Sequence, residues 1–315
     1  MKKKIIIAGN TVFTKVIIET LHLSDNYEVI CLTGFSKSNP VFDYCKESNI
    51  NIIQLSKEQY KNKEAEILLK KINPDLIIVI AYGIIIPKYI LEIPKFGCIN
   101  IHGSLLPNLR GATPIQSSLL LGYEKTGATI QKMVYKMDEG DILAQYNVEI
   151  DLNDNFTTLR EKMMNEVKND IENFLNKYFE GSVNPIIQNN DDATYCKISD
   201  FTRDKANINW SDLSFNIHNK IRAFFPEPVA WNNIRSSENI TWLEKDKILN
   251  IHTSFLTERK SILEAGTMFY EMKKLYVATS DFDLEIDKLV LEGKKEMLGR
   301  DFGNGYVKNN QLKLI

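Results

Sequence analysis

Residues 76–81 of this chain are Leu-Ile-Ile-Val-Ile-Ala, an unbroken apolar run rich in β-branched side chains. A strand with one face in water alternates apolar and polar residues, whereas a strand covered on both faces is apolar throughout. The run therefore predicts a buried parallel strand. The stretch before it, residues 58–72, has apolar positions at helical spacing and stops ahead of Asn73-Pro74, a pair that ends helices.

Strand and helix patterns alternate on both sides of this run. Strands are predicted at residues 4–8, 28–32 and 97–101, and helices at 14–23 and 156–179. Alternating strands and helices form βαβ units, so we expect an α/β fold with an open, mostly parallel Rossmann-like sheet and helices on both faces. Ligands of such sheets bind beyond the carboxyl ends of the strands, which points to the residues just after Ala81 and Ile101.

The C-terminal part of the chain has a different pattern. A helix is predicted at 215–223, and short strands between charged turns follow at 248–252, 266–270, 275–279 and 288–291. Short strands of this kind predict a small β-barrel, similar to an OB-fold. Residues 181–204 are rich in Asn and have no period, which is typical of a linker. We therefore expect a catalytic domain at 1–180, a linker at 181–204 and a β-barrel domain at 205–315.

Composition excludes several classes of protein. The chain has 315 residues, more than one core comfortably holds, so two domains are expected. The apolar run at 5–8 is shorter than the roughly 7–15 residues of a secretory signal, and no apolar run reaches the roughly 20 residues of a membrane span. The four cysteines are scattered, which indicates free thiols in a reducing cytoplasm and no zinc site. A net charge of −2 gives no overall field that would attract DNA.

The densest chemical signal lies at residues 98–116, Cys-Ile-Asn-Ile-His-Gly-Ser-Leu-Leu-Pro-Asn-Leu-Arg-Gly-Ala-Thr-Pro-Ile-Gln. Asn100 and His102 are two residues apart at the end of a predicted strand, so their side chains point to the same side. An amide and an imidazole there can stabilise an oxyanion, and the imidazole can also move a proton near neutral pH. A lone histidine after a strand is more often a structural residue, so the spacing by itself leaves the question open.

A second stretch places acidic residues in a turn between two predicted strands. Residues 138–141 are Asp-Glu-Gly-Asp, preceded by a strand pattern from Thr126 and followed by Ile142-Leu143. Such a composition is ordinary for an exposed hairpin turn. The stretch alone therefore does not establish a site.

Together these stretches resemble the active-site region of the 10-formyltetrahydrofolate-dependent formyltransferases, and most closely the members that formylate methionyl-tRNA. The shared motifs are Asn-x-His before Ser-Leu-Leu-Pro, Arg-Gly-x-x-Pro-Ile-Gln, Thr-Gly-x-Thr-Ile and Gly-Asp-Ile-Leu. The resemblance covers the whole chain. It also includes Ala81-Tyr-Gly-Ile-Ile-Ile-Pro87, the start of the C-terminal part at Trp210-Ser, and its end at Asp301-Phe-Gly-Asn-Gly305.

The resemblance implies a reaction and assigns roles. A formyl group passes from 10-formyltetrahydrofolate to the methionine of initiator Met-tRNA, with Asn100 and His102 stabilising the oxyanion and Asp141 orienting His102 and assisting proton transfer. Asp138 is the weaker acidic candidate, a turn or supporting residue. The resemblance implies two loops that contact the folate. One contains Ser104, Leu105, Leu106 and Pro107, and the other contains Tyr82 and Gly83. The resemblance further implies a cytoplasmic enzyme, expected to be a monomer, with the C-terminal barrel binding tRNA and no metal.

One departure from the family keeps the acceptor open. The family carries a long Lys/Arg/Gly-rich insertion after the second strand that grips tRNA, whereas Thr33–Pro40 is short and has one lysine. An amino-sugar nucleotide is therefore an alternative acceptor, although the motif at 110–116 and the C-terminal part favour tRNA. A non-catalytic relative that binds tRNA or folate is disfavoured, because all three catalytic positions are present. A nicotinamide enzyme is disfavoured because Gly9 has no G-x-G-x-x-G pattern around it.

Overall fold

The structure is a computed structural model that describes residues 1–34, 39–236, 243, 246–308, 310 and 312–315. The chain divides into two compact units. The first unit comprises residues 1–114, 125–149 and 160–195, and the second comprises 115–124, 150–159 and 196–315. Each unit has a β-sheet of its own.

The first unit contains the open sheet that the sequence predicts. The strands are β1 (Lys3–Gly9), β2 (Tyr27–Thr33), β3 (Asn51–Gln54), β4 (Leu76–Ile80), β5 (Cys98–His102), β6 (Arg110–Gly111), β7 (Lys125–Lys132) and β8 (Ile142–Glu149). The sheet order is β3-β2-β1-β4-β5-β7-β8, and β6 lies outside it. In this order the first five strands, β3, β2, β1, β4 and β5, pair in parallel. The antiparallel hairpin of β7 and β8 follows, and β7 pairs antiparallel with β5. The predicted Rossmann-like fold class is confirmed.

The helices of the described residues include all four that the sequence predicts, with one exception. Their bounds are α1 (Val12–His22), α2 (Pro40–Glu47), α3 (Lys57–Lys61), α4 (Glu64–Ile72), α5 (Lys88–Leu91), α6 (Pro114–Leu120), α7 (Phe156–Glu180), α8 (Ser214–Phe224) and α9 (Gly299–Phe302). Single turns of 3₁₀-helix lie at Asn190–Asp192 and Ile198–Asp200, and a π-helical turn at Gly303–Val307. In the described parts of the chain, no helix has both the length and the apolar character needed to cross a membrane.

The exception is the single helix predicted at 58–72, which is wrong. Two short helices replace it, because Lys63 between them has φ 66°, a left-handed conformation that ends a helix. A capping box at Ser56 and Gln59 starts the first of them. The apolar period continues across the break, so the pattern alone gave no sign of it.

Burial of β1 and β4 explains why these runs are apolar throughout. Ile5, Ile6, Ile77 and Ile78 are 0% exposed, and the two strands pair in parallel with Ile6 opposite Ile77. Complete burial of such a side chain stabilises the fold by about 1.5–3 kcal/mol. The parallel pairing also brings the carboxyl ends of β1, β2, β4 and β5 to one edge of the sheet.

The second unit is a closed antiparallel barrel. Its strands are β10 (Ala230–Ser236), β11 (Lys247–Phe255), β12 (Thr267–Glu271), β13 (Lys274–Val277), β14 (Leu284–Leu291), β15 (Met297–Leu298) and β16 (Leu312–Leu314), and β9 (Tyr195–Cys196) precedes them. They run in the order β11-β10-β16-β12-β13-β14-β15, and a further pairing of β11 with β14 closes the ring. The predicted β-barrel is confirmed.

The predicted linker at 181–204 is divided between the two units. Residues 181–195 belong to the first compact unit, while 196–204 belong to the second. In the short loop at 33–40, Phe35–Ser38 lie outside the described residues. The remaining part, Thr33, Gly34 and Asn39, hydrogen-bonds to Asn10 at the carboxyl edge of the sheet.

Candidate active site

Strand β5 carries Asn100 and His102 to the carboxyl edge of the sheet. Their neighbours Ile99 and Ile101 are buried and point to the other side, as the two-residue period of a strand requires. His102 is only 6% exposed, whereas Asn100 is half-buried. Among the residues that the structure describes, none forms a hydrogen bond with the Asn100 side-chain amide. Its two N–H groups are therefore available to a ligand.

The two ring nitrogens of His102 lie in different surroundings. Nε2 is 2.9 Å from the carbonyl oxygen of Leu109. Because a carbonyl oxygen only accepts, Nε2 carries a hydrogen and donates it. Nδ1 lies 3.6 Å from Oδ1 of Asp138. In the neutral ring Nδ1 is thus the basic nitrogen, and a proton bound there faces a carboxylate.

The carbonyl group that fixes Nε2 belongs to a strained turn. Leu109 is buried and has φ 56°, which costs a residue other than glycine roughly 1–2 kcal/mol. Its N–H donates to Oγ1 of Thr194 at 2.8 Å, and the backbone of Thr194 bonds to Pro107 and Arg110 on either side. Thr194 therefore holds the turn that orients the imidazole.

The carboxylate beside His102 is that of Asp138, at the end of the hairpin loop between β7 and β8. The Asp138 side chain is 10% exposed. Oδ2 accepts from the backbone N–H of Gly111 at 2.9 Å, and Oδ1 accepts from Nε2 of Gln131, also at 2.9 Å. These two bonds fix the orientation of the carboxyl group. Asp138 is therefore placed as a buried acceptor against a basic ring nitrogen.

Asp141, which the sequence assigned to this position, lies elsewhere. It stands just before β8, where its carbonyl oxygen accepts from the N–H of Lys132 at 2.9 Å. In the described structure, the Asp141 carboxylate makes no ion pair or hydrogen bond with His102. The structure thus brings Asn100, His102 and Asp138 together, and it does not bring Asp141 to the ring.

The Ser104–Pro107 loop uses most of its polar groups internally. The hydroxyl of Ser104 donates to the carbonyl oxygen of Asn108 at 2.5 Å. The N–H of Leu106 donates to Oγ1 of Thr129 at 3.1 Å, and its carbonyl oxygen accepts from Gln145 at 2.9 Å. Ser104 and Leu106 are buried, while Leu105 and Pro107 are half-buried. Leu105 and Pro107 are therefore the members of this loop that keep exposed surface.

Tyr82 and Gly83 follow β4 at the same edge. The Tyr82 ring is 3% exposed within the apolar core, and its hydroxyl lies 3.2 Å from that of Tyr60. Burial raises the pKa of Tyr82. Gly83 is exposed with φ 77°, and nothing lies within 4 Å of the Cβ position that a side chain would occupy. These two residues can offer a ligand backbone groups and open space, but not the phenol ring.

Asn10 joins the ends of three strands. Its Oδ1 accepts from Oγ1 of Thr33 at 2.6 Å and from the N–H of Gly34 at 2.9 Å. Its Nδ2 donates to the carbonyl oxygen of Tyr82 at 2.8 Å. One side chain after β1 therefore fixes the loops that follow β2 and β4.

The cysteine on β5, Cys98, lies at the amino end of the strand, away from the carboxyl edge. Cys98 is 2% exposed, and burial raises the pKa of its thiol to about 12, so it stays protonated near neutral pH. Within the described ranges, no group of three or more His, Cys, Asp or Glu side chains could hold a metal ion.

Sequence reasoning missed three residues that support the site: Thr194, Gln188 and Asn10. Asn10 could have been found, because a polar residue directly after a buried strand marks the ligand-binding edge. Thr194 and Gln188 lie in a stretch without hydrophobic period, and no local signal distinguishes them from linker residues. Only their long-range contacts show their role.

Comparison with known proteins identifies the family of this chain. The formyl transferase family matches residues 1–172, and the C-terminal domain of formyl transferases matches residues 201–307. A methionyl-tRNA formyltransferase of Hydrogenobaculum sp. (strain Y04AAS1) is 36% identical over 274 residues, covering 87% of this chain and 84% of that protein. That of Bacillus subtilis (strain 168) is 33% identical over 314 residues, covering 96% and 94%.

A solved structure shares the fold. WlaRD, a sugar 3N-formyl transferase crystallised in the presence of dTDP and 5-N-formyl-THF, superposes with a TM-score of 0.67 at 19% identity. The match covers 94% of this chain and 100% of that one. With both domains matched and relatives above 30% identity over most of its length, the chain belongs to the formyl transferase family.

Proposed function

We propose that this chain transfers the formyl group of 10-formyltetrahydrofolate to the amino group of methionine on initiator tRNA, for translation initiation. The observation that carries the proposal is the buried pair of His102 and Asp138, 3.6 Å apart, beside the available amide of Asn100. The relatives named methionyl-tRNA formyltransferase support the choice of acceptor, since they resemble this chain over both domains.

The reaction needs charge stabilisation and one proton transfer. The methionyl nitrogen bonds to the formyl carbon, and the bond from that carbon to N10 of the folate breaks. One proton leaves the attacking amine and one reaches N10, so the products are a formylated amine and tetrahydrofolate. An oxygen that becomes negative along the way is stabilised by N–H donors fixed in advance.

Three residues have the chemistry for these steps. Asn100 donates N–H to the oxygen that becomes negative, and the charge of a protonated His102 stabilises the same oxygen. Asp138 stabilises that imidazolium, because its carboxylate faces Nδ1. The proton of the amine passes through this pair. We therefore assign to Asp138 the role that the family resemblance implies for Asp141.

For the folate, we propose the two loops at the carboxyl edge of the sheet. Leu105 and Pro107 supply apolar contact, with Ser104 and Leu106 holding their loop in shape. Tyr82 and Gly83 supply backbone groups and room for a flat ring. A site of this kind combines apolar walls with few polar groups, as small-molecule sites usually do.

For the acceptor, we propose that the C-terminal barrel domain, residues 205–315, binds tRNA through exposed basic side chains. Lys294, Lys295 and Arg300 lie exposed after β14 and near β15. Phosphate contacts by Lys and Arg supply affinity without a sequence code. We further propose a monomer that acts in the cytoplasm.

A sugar N-formyltransferase activity is the second candidate. It is favoured by the short loop at 33–40 and by the fold shared with a sugar 3N-formyl transferase. The identity to that protein is 19%, against 36% and 33% to the two named relatives, so tRNA is the better-supported acceptor.

One assay separates the candidates. Purified protein is given 10-formyltetrahydrofolate and, side by side, initiator Met-tRNA, elongator Met-tRNA and an amino-sugar nucleotide. We expect formyl transfer to initiator Met-tRNA at a kcat/KM at least tenfold above that for the others. Robust transfer to the sugar nucleotide with none to Met-tRNA would overturn the proposal.

A further inference from the structure

The hairpin loop that carries Asp138 accepts hydrogen bonds from the buried side-chain amide of Gln188. Residues 184–192 are all exposed except Gln188, which is 7% exposed. Its Nε2 donates to the carbonyl oxygens of Asp138 at 2.8 Å and Gly140 at 2.6 Å. An amide nitrogen has two hydrogens, so this pair of bonds uses both of them. The backbone on either side of residue 139 is therefore held by a single side chain.

A buried arginine fixes the direction of that amide. Oε1 of Gln188 accepts from Nε of Arg110 at 3.1 Å and from Nη2 at 2.7 Å. A guanidinium only donates and a backbone carbonyl only accepts, so the amide has one satisfactory orientation. Arg110 is 1% exposed and cannot turn to water instead. Arg110 therefore fixes the orientation of the Gln188 amide, and the amide in turn donates to the hairpin loop.

The hairpin loop needs such a fixation, because apolar packing does not supply it. The residues just before Asp138 are exposed, with Tyr135 at 77% and Met137 at 63%. Asp138 itself has φ 57°, a conformation that a residue other than glycine adopts only when its surroundings impose it. Gly140 packs so closely that an added Cβ would lie 1.6 Å from the carbonyl oxygen of Lys132. Polar contacts therefore determine where the Asp138 carboxylate lies.

We propose that Gln188 is a positioning residue for formyl transfer: it holds the Asp138 hairpin loop so that the carboxylate faces Nδ1 of His102. The inference rests on the role proposed for Asp138. It gives a function to a segment that has no motif, and it makes the activity depend on a side chain that touches neither substrate. A displacement of a catalytic group by about 1 Å can lower a rate by about 10²-fold.

Gln188→Glu is the sharpest test, because it separates the two ends of the amide. A glutamate still accepts from Arg110, but it offers no hydrogen to the carbonyl oxygens of Asp138 and Gly140. We expect kcat to fall by about 10- to 100-fold, with KM for Met-tRNA and for the folate within about threefold of wild type. Gln188→Met, which fills the space without either bond, is expected to lower kcat in the same way.

The matched control is Asn190→Ala. Oδ1 of Asn190 also accepts from Nη2 of Arg110, at 3.0 Å, but the side chain makes no described bond to the hairpin loop. Its kcat is expected to stay within about twofold of wild type. Thermal unfolding of each variant, followed by circular dichroism, shows the folded fraction, and kcat is expressed per folded molecule.

A pH profile distinguishes positioning from structural support. If Gln188 places Asp138, the limb of the kcat profile that reports the His102–Asp138 pair shifts in Gln188→Met, which adds no charge; a merely structural loss lowers the curve without moving it. Asp138→Asn is run in parallel. An inactive Asp138→Asn with a normal Gln188→Glu overturns this inference alone, whereas a normal Asp138→Asn overturns the role proposed for Asp138.

Discussion

The two ring nitrogens of His102 have different neighbours, and each neighbour has a different consequence. The carbonyl oxygen of Leu109 keeps the hydrogen on Nε2, which leaves Nδ1 as the nitrogen that exchanges protons. The carboxylate of Asp138 faces that nitrogen. Asn100 lies two residues earlier on the same strand. A charge and a proton can therefore be handled within one small region of the sheet edge.

Asn100→Ala tests whether the Asn100 amide stabilises the oxyanion. Removing one N–H donor from such a site lowers kcat by about 10²–10³-fold, because the donor acts mainly on the transition state. We expect a fall of that size with little change in KM for either substrate. Steady-state kinetics with Met-tRNA measure it, and Asn147→Ala, an exposed asparagine on β8, is the control. A change in KM alone would mean that Asn100 only binds.

Some of these residues could be found from the sequence and others could not. Asn100 and His102 follow from strand alternation, which needs only local spacing. Asp138 and Asp141 are three residues apart in one acidic turn, and a turn has no fixed period. Which carboxylate reaches the ring depends on the left-handed backbone at Asp138 and on contacts from Gln131 and from Gly111, which is 27 residues away in sequence.

The secondary-structure elements were more predictable than the site. Strands β1, β2, β4 and β5 and the long helix α7 were predicted to within two residues at each end, because burial gives them clear periods. The break at Lys63 and the strands β10 and β16 were missed, and so were several short elements, among them β3, α2 and α6. The break depends on one left-handed residue, and the missed elements are short or, like β10, polar on one side.

A buried histidine links helix α8 to strand β11 and makes the stability of the barrel unit depend on pH. Nε2 of His218 donates to the carbonyl oxygen of Leu152 at 2.7 Å, and Nδ1 lies 3.0 Å from the hydroxyl of Ser254. Burial lowers the pKa of His218 below its ordinary value of 6.5. Below pH 6.5 His218 therefore binds a proton more readily in the unfolded chain than in the folded one. The contribution of His218 to the free energy of unfolding is complete above pH 6.5 and is lost as the pH falls through the pKa of the folded state.

We expect the melting temperature of the wild type to fall between pH 7.5 and pH 5.5 by more than that of His218→Gln. The variant has a lower melting temperature at neutral pH, but it cannot gain this proton on unfolding. Circular dichroism melts at several pH values measure the difference. His22→Gln, which alters an exposed histidine, is the control and is expected to follow the wild type. Parallel pH curves for wild type and His218→Gln would contradict the assignment.

At the scale of the whole molecule, both units match domains of one family. The sequence predicted both sheets from their patterns. It could not show that residues 181–195 belong to the first unit, because that segment is fixed by Gln188 and Thr194 and not by a hydrophobic period.

The double variant Lys294→Ala, Lys295→Ala tests the role of the barrel in tRNA binding. Loss of two phosphate contacts is expected to raise KM for Met-tRNA about 3- to 30-fold and to reduce its dependence on salt, because fewer counterions are released on binding. The KM for the folate is expected to stay unchanged. Initial rates at 50, 100 and 200 mM salt give the comparison, and Lys308→Ala serves as an exposed lysine control. An unchanged KM at low salt would remove these two residues from the interface.

We propose that Asp138, and not Asp141, acts with His102 during formyl transfer. The direct measurement is the single-turnover rate of formyl transfer to Met-tRNA, with enzyme and folate in excess, for Asp138→Asn and Asp141→Asn. We predict a loss of at least about 100-fold for Asp138→Asn, because the amide cannot stabilise the imidazolium, and a change within about fivefold for Asp141→Asn. A near-normal rate for Asp138→Asn, with a large loss for Asp141→Asn, would contradict the account.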